Sequence, residues 1–111
     1  LEQLQKEHNV QLIDPPNLDV RKDLDGLIEF INSCDFVINI SNTNAHLSGA
    51  IGKKTYLLLP TPAGRFWYWE NNYNEKNIWY PSIEIFTQKA PYDWSDPVER
   101  LYNKIKLDYK I

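Results

Sequence analysis

The stretch that decides the fold spans residues 36–60 and reads FVINISNTNAHLSGAIGKKTYLLLP. Its first part, Phe36–Ile40, is nearly all apolar, which predicts a strand buried on both faces, as in a parallel sheet. Thr55–Leu59 predicts a second such strand, which ends at the following proline. Between them, Ser41–Asn44 favours a helix N-terminus, and Gly52 favours the end of that helix. Strand, helix and strand in this order predict a βαβ unit with a right-handed crossover.

Upstream of this stretch the pattern predicts another strand and another helix. Val10–Ile13 is short, apolar and partly β-branched, which favours a strand. From Asp23 to Ser33 the apolar residues follow helical spacing, and Asp23 is placed to cap the helix. Strands and helices therefore alternate along the chain, as in α/β proteins.

Downstream, Ile83–Phe86 predicts a fourth strand, and a final helix follows it. Asp96 is expected to cap that helix, with Pro97 at its first position. The buried stripe of the helix is predicted to consist of Val98, Leu101, Tyr102 and Ile105. Residues 1–111 are thus interpreted as a single domain of the α/β class, a partial Rossmann-like three-layer sandwich with a mostly parallel sheet.

Residues 61–80 form a long irregular segment that is rich in aromatic residues. A segment of this length in a compact domain is typically functional or disordered, and the aromatic density argues against disorder. Trp67 and its aromatic neighbours are suited to stack on a base or a sugar, and Arg65 is suited to contact a diphosphate. The alternative is packing, either as a small core beneath the loop or against a partner domain.

The composition excludes several classes of function. The chain has 111 residues, a net charge of -3, two histidines and a single cysteine, Cys34. A weakly acidic chain lacks the basic surface of nucleic-acid binders, and no apolar run approaches the roughly 18 residues of a membrane span. The histidines and the cysteine give no metal-ligand spacing, so we expect neither a metal nor another cofactor. One unpaired cysteine fits a reducing cytoplasm.

The junction between the strand Phe36–Ile40 and the helix that follows it is the candidate binding site. Helix N-termini carry unpaired N–H groups and a partial positive charge, so a phosphate is a natural ligand there. Ser41, Asn42 and Thr43 have side chains able to add hydrogen bonds, although they also fit simple capping. His46 lies in the first turn, where it would donate to a phosphate or sugar hydroxyl, or merely pack. Neither G-x-G-x-x-G nor a Walker A pattern is present.

Four segments in linked order resemble one family of enzymes. The likeness lies in DLDGLIEFINSCDFVI at residues 23–38, NAHLSGAIGKKTYLLLP at residues 44–60, the aromatic segment with its Trp-Tyr-Pro-Ser, and the closing Asp93-Trp94 with the final helix. They resemble bacterial glycosyltransferases related to the heptosyltransferases, which are often fused to tetratricopeptide repeats. The resemblance covers roughly residues 10–106.

This resemblance implies the C-terminal, Rossmann-like half of a GT-B glycosyltransferase. Such a half binds the diphosphate of a nucleotide-sugar donor, and the remaining N-terminal half of the same enzyme holds the acceptor, so this piece would be inactive alone. The positions that match the family's donor motif are Ser41, Asn42, Thr43, Asn44 and His46, and the turn that begins at Asp23 would lie near the nucleotide.

The sequence departs from the family at two places. Ser41 and Asn42 stand where the family has Asp and Thr, and Gly26 and Leu27 replace an Asp-Thr pair. A lost carboxylate fits a different donor or a degenerate enzyme. The alternatives are therefore a non-catalytic Rossmann-like binding or interaction module, and another nucleotide-binding α/β enzyme such as an epimerase.

Overall fold

The computed structural model describes residues 2–61, 66–70, 72–73 and 76–111. Its helices and strands are α1 (Glu2–His8), α2 (Leu24–Ser33), β1 (Val37–Ile40), α3 (Thr43–Ala50), β2 (Thr55–Leu59), β3 (Asn72–Tyr73), β4 (Lys76–Asn77), β5 (Ile83–Thr87) and α4 (Ser95–Tyr109), with a 3₁₀ turn at Trp67–Trp69.

The described strands form one sheet in the order β1-β2-β5-β4-β3. Strands β1, β2 and β5 are parallel, and the short β3–β4 hairpin joins the far side of β5 in antiparallel pairing. The predicted α/β class with a mostly parallel sheet is therefore confirmed. Parallel neighbours require crossover connections, and α3 supplies the one between β1 and β2.

Each face of β2 and β5 is covered by a different layer. On one face, residues of β2 and β5 pack with α3 and the aromatic segment, in a core of Ala45, Leu57, Leu59, Trp69, Ile83 and Ile85. On the opposite face, α4 contributes to a second core, formed by Tyr56, Phe86 and Leu101. These layers give the predicted three-layer arrangement. In the described residues of the connection from β2 to β5, a 3₁₀ turn and a hairpin cover this face, and no α-helix does.

The expected strand at Val10–Ile13 is wrong. These residues have no regular structure, and the side chains of Val10, Leu12 and Ile13 are exposed. The N–H of Leu12 donates to the side chain of Gln5 at 2.8 Å instead of to a neighbouring strand. A short apolar run becomes a strand only when another strand pairs with it, and the described residues provide none at this place.

The expected burial of both faces of the strand Phe36–Ile40, which is β1 in the structure, is also wrong. Strand β1 lies at the edge of the described sheet, and Ile38 and Ile40 are 49% and 58% exposed. Helix α4 packs over β2 and β5, so it does not cover the same face of β1. The apolar run correctly predicted a parallel strand, but burial depends on its neighbours.

The final helix begins at Ser95, so Asp96 is not its cap. The carboxylate of Asp93 accepts the N–H of Ser95 at 3.0 Å, whereas Asp96 forms ion pairs with Arg100 and Lys89. The hydrogen bond from Arg100 is the main reason why the pKa of Asp96 lies below its usual value.

Of the predicted stripe on α4, Leu101 is buried and Ile105 packs against the same core. Val98 and Tyr102 are exposed instead. Pro97, Leu101 and Asp108 all face the sheet, which rotates Val98 and Tyr102 out of the interface.

Helix α3 ends as its glycine predicts. Gly52 has φ of 73°, and the N–H of Lys53 donates to the carbonyl of Ser48 at 2.9 Å while that of Gly52 donates to Gly49 at 3.1 Å. These two bonds form a Schellman motif, in which a left-handed residue ends the helix. The chain then turns directly into β2.

Gly49 allows the aromatic segment to approach α3. A Cβ atom at this position would lie 2.4 Å from Cγ of Tyr80, well inside van der Waals contact. Gly49 is therefore a packing residue, and the ring of Tyr80 occupies the space beside the helix.

We expect Gly49→Ala to lower the free energy of unfolding by about 1–3 kcal/mol, because the new methyl group would collide with the Tyr80 ring. Chemical denaturation at neutral pH measures the effect. Helix propensity alone gives the opposite sign, a stabilisation of about 0.5–1 kcal/mol, since alanine favours helices over glycine. A stabilised variant would contradict the packing.

A partly buried polar network links α4 to the sheet on the opposite face. The hydroxyl of buried Tyr56 donates to Asp108 at 2.5 Å, and Lys54 pairs with Glu84 at 2.8 Å. Burial, together with the bond to Asp108, raises the pKa of Tyr56 above its usual range. The same bond is the main cause of a pKa of Asp108 below its usual value.

Asp108 should therefore stabilise the fold above the pKa that it has in the unfolded chain, and this stabilisation should disappear as the pH falls through its lower folded pKa. We expect Asp108→Asn to lower the free energy of unfolding at pH 7 by about 1–2 kcal/mol, with the difference from wild type shrinking below pH 4. Urea denaturation across pH 7 to 2.5 measures this. Asp14→Asn, at an exposed loop carboxylate, is the matched control, and a difference that persists unchanged at pH 2.5 would disprove the assignment.

Candidate functional site

The candidate site lies where β1 ends and α3 begins. Only Ser41 and Asn42 separate Ile40, the last residue of the strand, from Thr43, the first residue of the helix. In open α/β sheets this carboxyl edge is the usual place for a ligand. The first turn of α3 contains no acidic side chain, so nothing within the turn offsets the partial positive charge of the helix N-terminus.

Asn42 is the N-cap of α3. Its backbone is extended, with φ of -159° and ψ of 178°, and its Oδ1 atom accepts the N–H of Ala45 at 3.0 Å. Its Nδ2 atom donates to Oδ1 of Asn39 at 2.7 Å, which fixes the side chain. The sequence left open whether this residue caps the helix or contacts a ligand, and both ends of its amide are used within the protein.

Two backbone donors remain at the start of the helix. Within the described part of the chain, the N–H groups of Thr43 and Asn44 have no hydrogen-bond partner. Thr43 is exposed and Asn44 is half-buried, so water or a ligand can reach this turn. Unpaired first-turn donors of this kind bind anions in many proteins.

Ser41 holds the aromatic segment against the sheet. Its Oγ atom accepts the indole N–H of the fully buried Trp69 at 2.9 Å. A serine hydroxyl also carries one hydrogen to donate, so this contact does not use all its bonding capacity. The sequence indicated ligand binding at this position but gave no signal of its contact with Trp69, 28 residues away.

His46 packs among aromatic rings instead of standing free. Its ring stacks on Trp69 with centroids 4.9 Å apart, and its Nδ1 atom lies 3.0 Å from the hydroxyl of Tyr80. Tyr68 meets the His46 ring edge-on at 5.0 Å. His46 therefore packs against the aromatic segment, and its side chain joins that segment to α3.

The same segment forms a cleft beside α3, which we call the aromatic cleft. It has a volume of about 300 Å³ and is lined by His46, Trp67, Tyr68, Trp79 and Tyr80. The side chains of Trp67 and Trp79 are 65% and 59% exposed, which is unusual for the largest apolar side chains. Of the two residues of this segment predicted to bind a ligand, Trp67 lines the cleft, while Arg65 lies outside the described residues.

Asn77 shapes the cleft and was not singled out from the sequence. Its buried side chain donates to the carbonyl of Tyr68 at 2.9 Å and accepts the N–H groups of Trp79 and Tyr80. An asparagine that bonds to the backbone two or three residues ahead is a common turn former. That local signal was available in the sequence, but the bond to Tyr68 depends on the tertiary fold.

Asp23 has a structural role at the start of α2. Its carboxylate accepts the N–H of Gly26 at 2.8 Å, which confirms the predicted cap. In the described residues, no hydrogen bond or ion pair joins Asp23 to residues 41–46. Gly26 has a packing reason, because a Cβ atom there would lie 2.7 Å from Leu18, and Leu27 is buried.

Comparison with known proteins gives one distant similarity. The chain is 26% identical over 101 residues to Protein FlbA of Caulobacter vibrioides, a match that covers 91% of this chain and 16% of that protein. The chain therefore spans about a sixth of the length of this relative. No protein-family model matches the chain, and no solved structure does.

In the described part of the chain, no helix is both long and apolar enough to cross a membrane. Across the same residues, no three side chains of the His, Cys, Asp and Glu types cluster as metal ligands.

We expect Asn42→Ala to lower the free energy of unfolding by about 0.5–2 kcal/mol, because it removes the cap of α3. Denaturant titration measures the loss. Asn42→Asp should retain the cap, since aspartate also accepts the Ala45 N–H, and Asn44→Ala is the matched control because its side chain has no cap bond. Equal stability of Asn42→Ala and wild type would contradict the capping role.

Proposed function

We propose that this chain is part of a glycosyltransferase and binds the diphosphate of a nucleotide-sugar donor at the N-terminus of α3. The observation that carries the proposal is the pair of backbone N–H groups of Thr43 and Asn44, which lack a partner in the described residues. Diphosphate oxygens suit these donors, and the helix adds roughly half a positive charge at this end.

Chemistry at this site would depend on the leaving group. When a sugar is transferred, negative charge develops on the departing diphosphate. Oriented amides stabilise that charge without having to reorganise, an effect worth several kcal/mol in enzymes. The heptosyltransferase-related enzymes that the sequence resembles have an aspartate at the position of Ser41. The neutral hydroxyl of Ser41 does not repel a diphosphate.

The proposal extends to partners and location. The acceptor would bind to an N-terminal half of the same enzyme, and tetratricopeptide repeats are a further expectation from the resemblance. A cytoplasmic location fits a chain whose single cysteine, Cys34, is free. The four linked sequence segments support this reading together with the α/β fold.

The second candidate is a non-catalytic binding or interaction module of the same ancestry. Ser41 and His46 favour it, because both side chains contact the aromatic segment within the protein. A module of this kind would retain the fold and the cap of α3 and have no affinity for nucleotide diphosphates.

Thr43→Pro tests the site without changing a side-chain contact. Proline is favoured at the first position of a helix, and the extended backbone of Asn42 is compatible with a following proline. The substitution removes one free N–H group and should leave the stability nearly unchanged. We expect affinity for the diphosphate to fall about 10- to 100-fold, the effect of one hydrogen bond to a charged group.

Calorimetry on the full-length protein measures this with UDP-glucose, GDP-mannose and ADP-glucose. Thr43→Ala is the control, because it removes the hydroxyl and retains the N–H group. Absence of binding to all three compounds by wild type would overturn the enzyme proposal in favour of the binding module. Unchanged affinity of Thr43→Pro would show that the diphosphate binds elsewhere.

A further inference from the structure

The aromatic cleft is the feature that the diphosphate site leaves unexplained. Trp67 and Trp79 expose most of their surface although the protein has a core on the same side of the sheet. Asn77 fixes the backbone that carries Trp79, with a 2.9 Å bond to the N–H of that residue. Two exposed indoles around a preformed cleft are typical of a ligand site.

The described lining of the cleft contains no acidic, lysine or arginine side chain and offers polar atoms. It is made of His46 and four aromatic residues. The Nδ1 atom of His46 contacts Tyr80, while Nε2 has no partner in the described residues. The same holds for the indole N–H groups of Trp67 and Trp79. A neutral ring with apolar faces and hydroxyl groups at its rim suits such a lining.

The position of the cleft decides which ring of a nucleotide sugar it suits. His46 follows Thr43 by three residues, about 4.5 Å along the helix axis. The His46 ring stacks on Trp69, and the indole N–H of Trp69 donates to Ser41, two residues before Thr43, so the cleft lies near the turn that carries the free N–H groups. The sugar of a donor is joined to the diphosphate through a single oxygen, whereas the base is separated from it by the ribose.

The size of the cleft agrees with a single ring. Its volume of about 300 Å³ lies at the lower limit of small-molecule sites, which range from roughly 300 to 1,000 Å³. We infer that the aromatic cleft binds the sugar ring of the donor and not its base. This inference rests on the diphosphate site proposed above.

The experiment compares sugar nucleotides with the corresponding nucleoside diphosphates. Calorimetry on the full-length protein uses UDP-glucose, GDP-mannose and ADP-glucose, and also UDP, GDP and ADP. Trp67→Ala and Trp79→Ala should each weaken binding of the preferred sugar nucleotide about three- to tenfold, and change binding of its diphosphate less than about twofold. Trp94→Ala, at a 40% exposed indole beside α4, is the matched control and should change neither affinity.

Two additional variants distinguish loss of the aromatic contact from misfolding. Trp67→Phe and Trp79→Phe keep an aromatic face and should retain most of the affinity, and circular dichroism checks the fold of every variant. An equal loss for sugar nucleotide and diphosphate would place the base in the cleft and overturn the inference while leaving the diphosphate site intact. Unchanged affinity of both alanine variants for the sugar nucleotide would also overturn it. Absence of any nucleotide binding by wild type would overturn the inference together with the proposed function.

Discussion

The structure depends on the burial of one indole, that of Trp69. The described residues of the connection between β2 and β5 contain no α-helix, only a 3₁₀ turn and a short hairpin, so this face of the sheet needs another large apolar group to cover it. Trp69 fills that role, fully buried in the core with Leu57, Leu59 and Ile85. Its N–H group is satisfied by Ser41, which makes burial of the polar atom compatible with the apolar surroundings.

This contact also brings the two parts of the candidate site together. Ser41 lies at the end of β1, so its bond to Trp69 fixes the aromatic segment beside the N-terminus of α3. The ring of His46 stacks on Trp69 and forms a hydrogen bond with Tyr80, whose ring lies against Gly49. Ser41 and His46 thus maintain the scaffold, whereas the first backbone amides of α3 and the indole N–H groups of Trp67 and Trp79 have no hydrogen-bond partner in the described residues.

Sequence patterns predicted most of the regular structure because neighbouring residues control it. The parallel strands, a cap within Ser41–Asn44 and the glycine end of α3 all follow from local preferences and were correct. The strand expected at Val10–Ile13 failed because a strand depends on a distant partner, and the described residues offer none there. The cap expected at Asp96 failed for a local reason, since α4 begins one residue earlier and the carboxylate of Asp93 accepts the N–H of Ser95.

For the site, the sequence by itself determined the α/β class, the strand-to-helix junction and the presence of an aromatic segment. Only the tertiary structure decided that Ser41 contacts Trp69, that His46 packs, and that Trp67 and Trp79 border one cleft. The reason is physical. Hydrogen bonds between near neighbours follow from backbone geometry, whereas contacts across 28 or 34 residues arise only when the sheet brings those segments together.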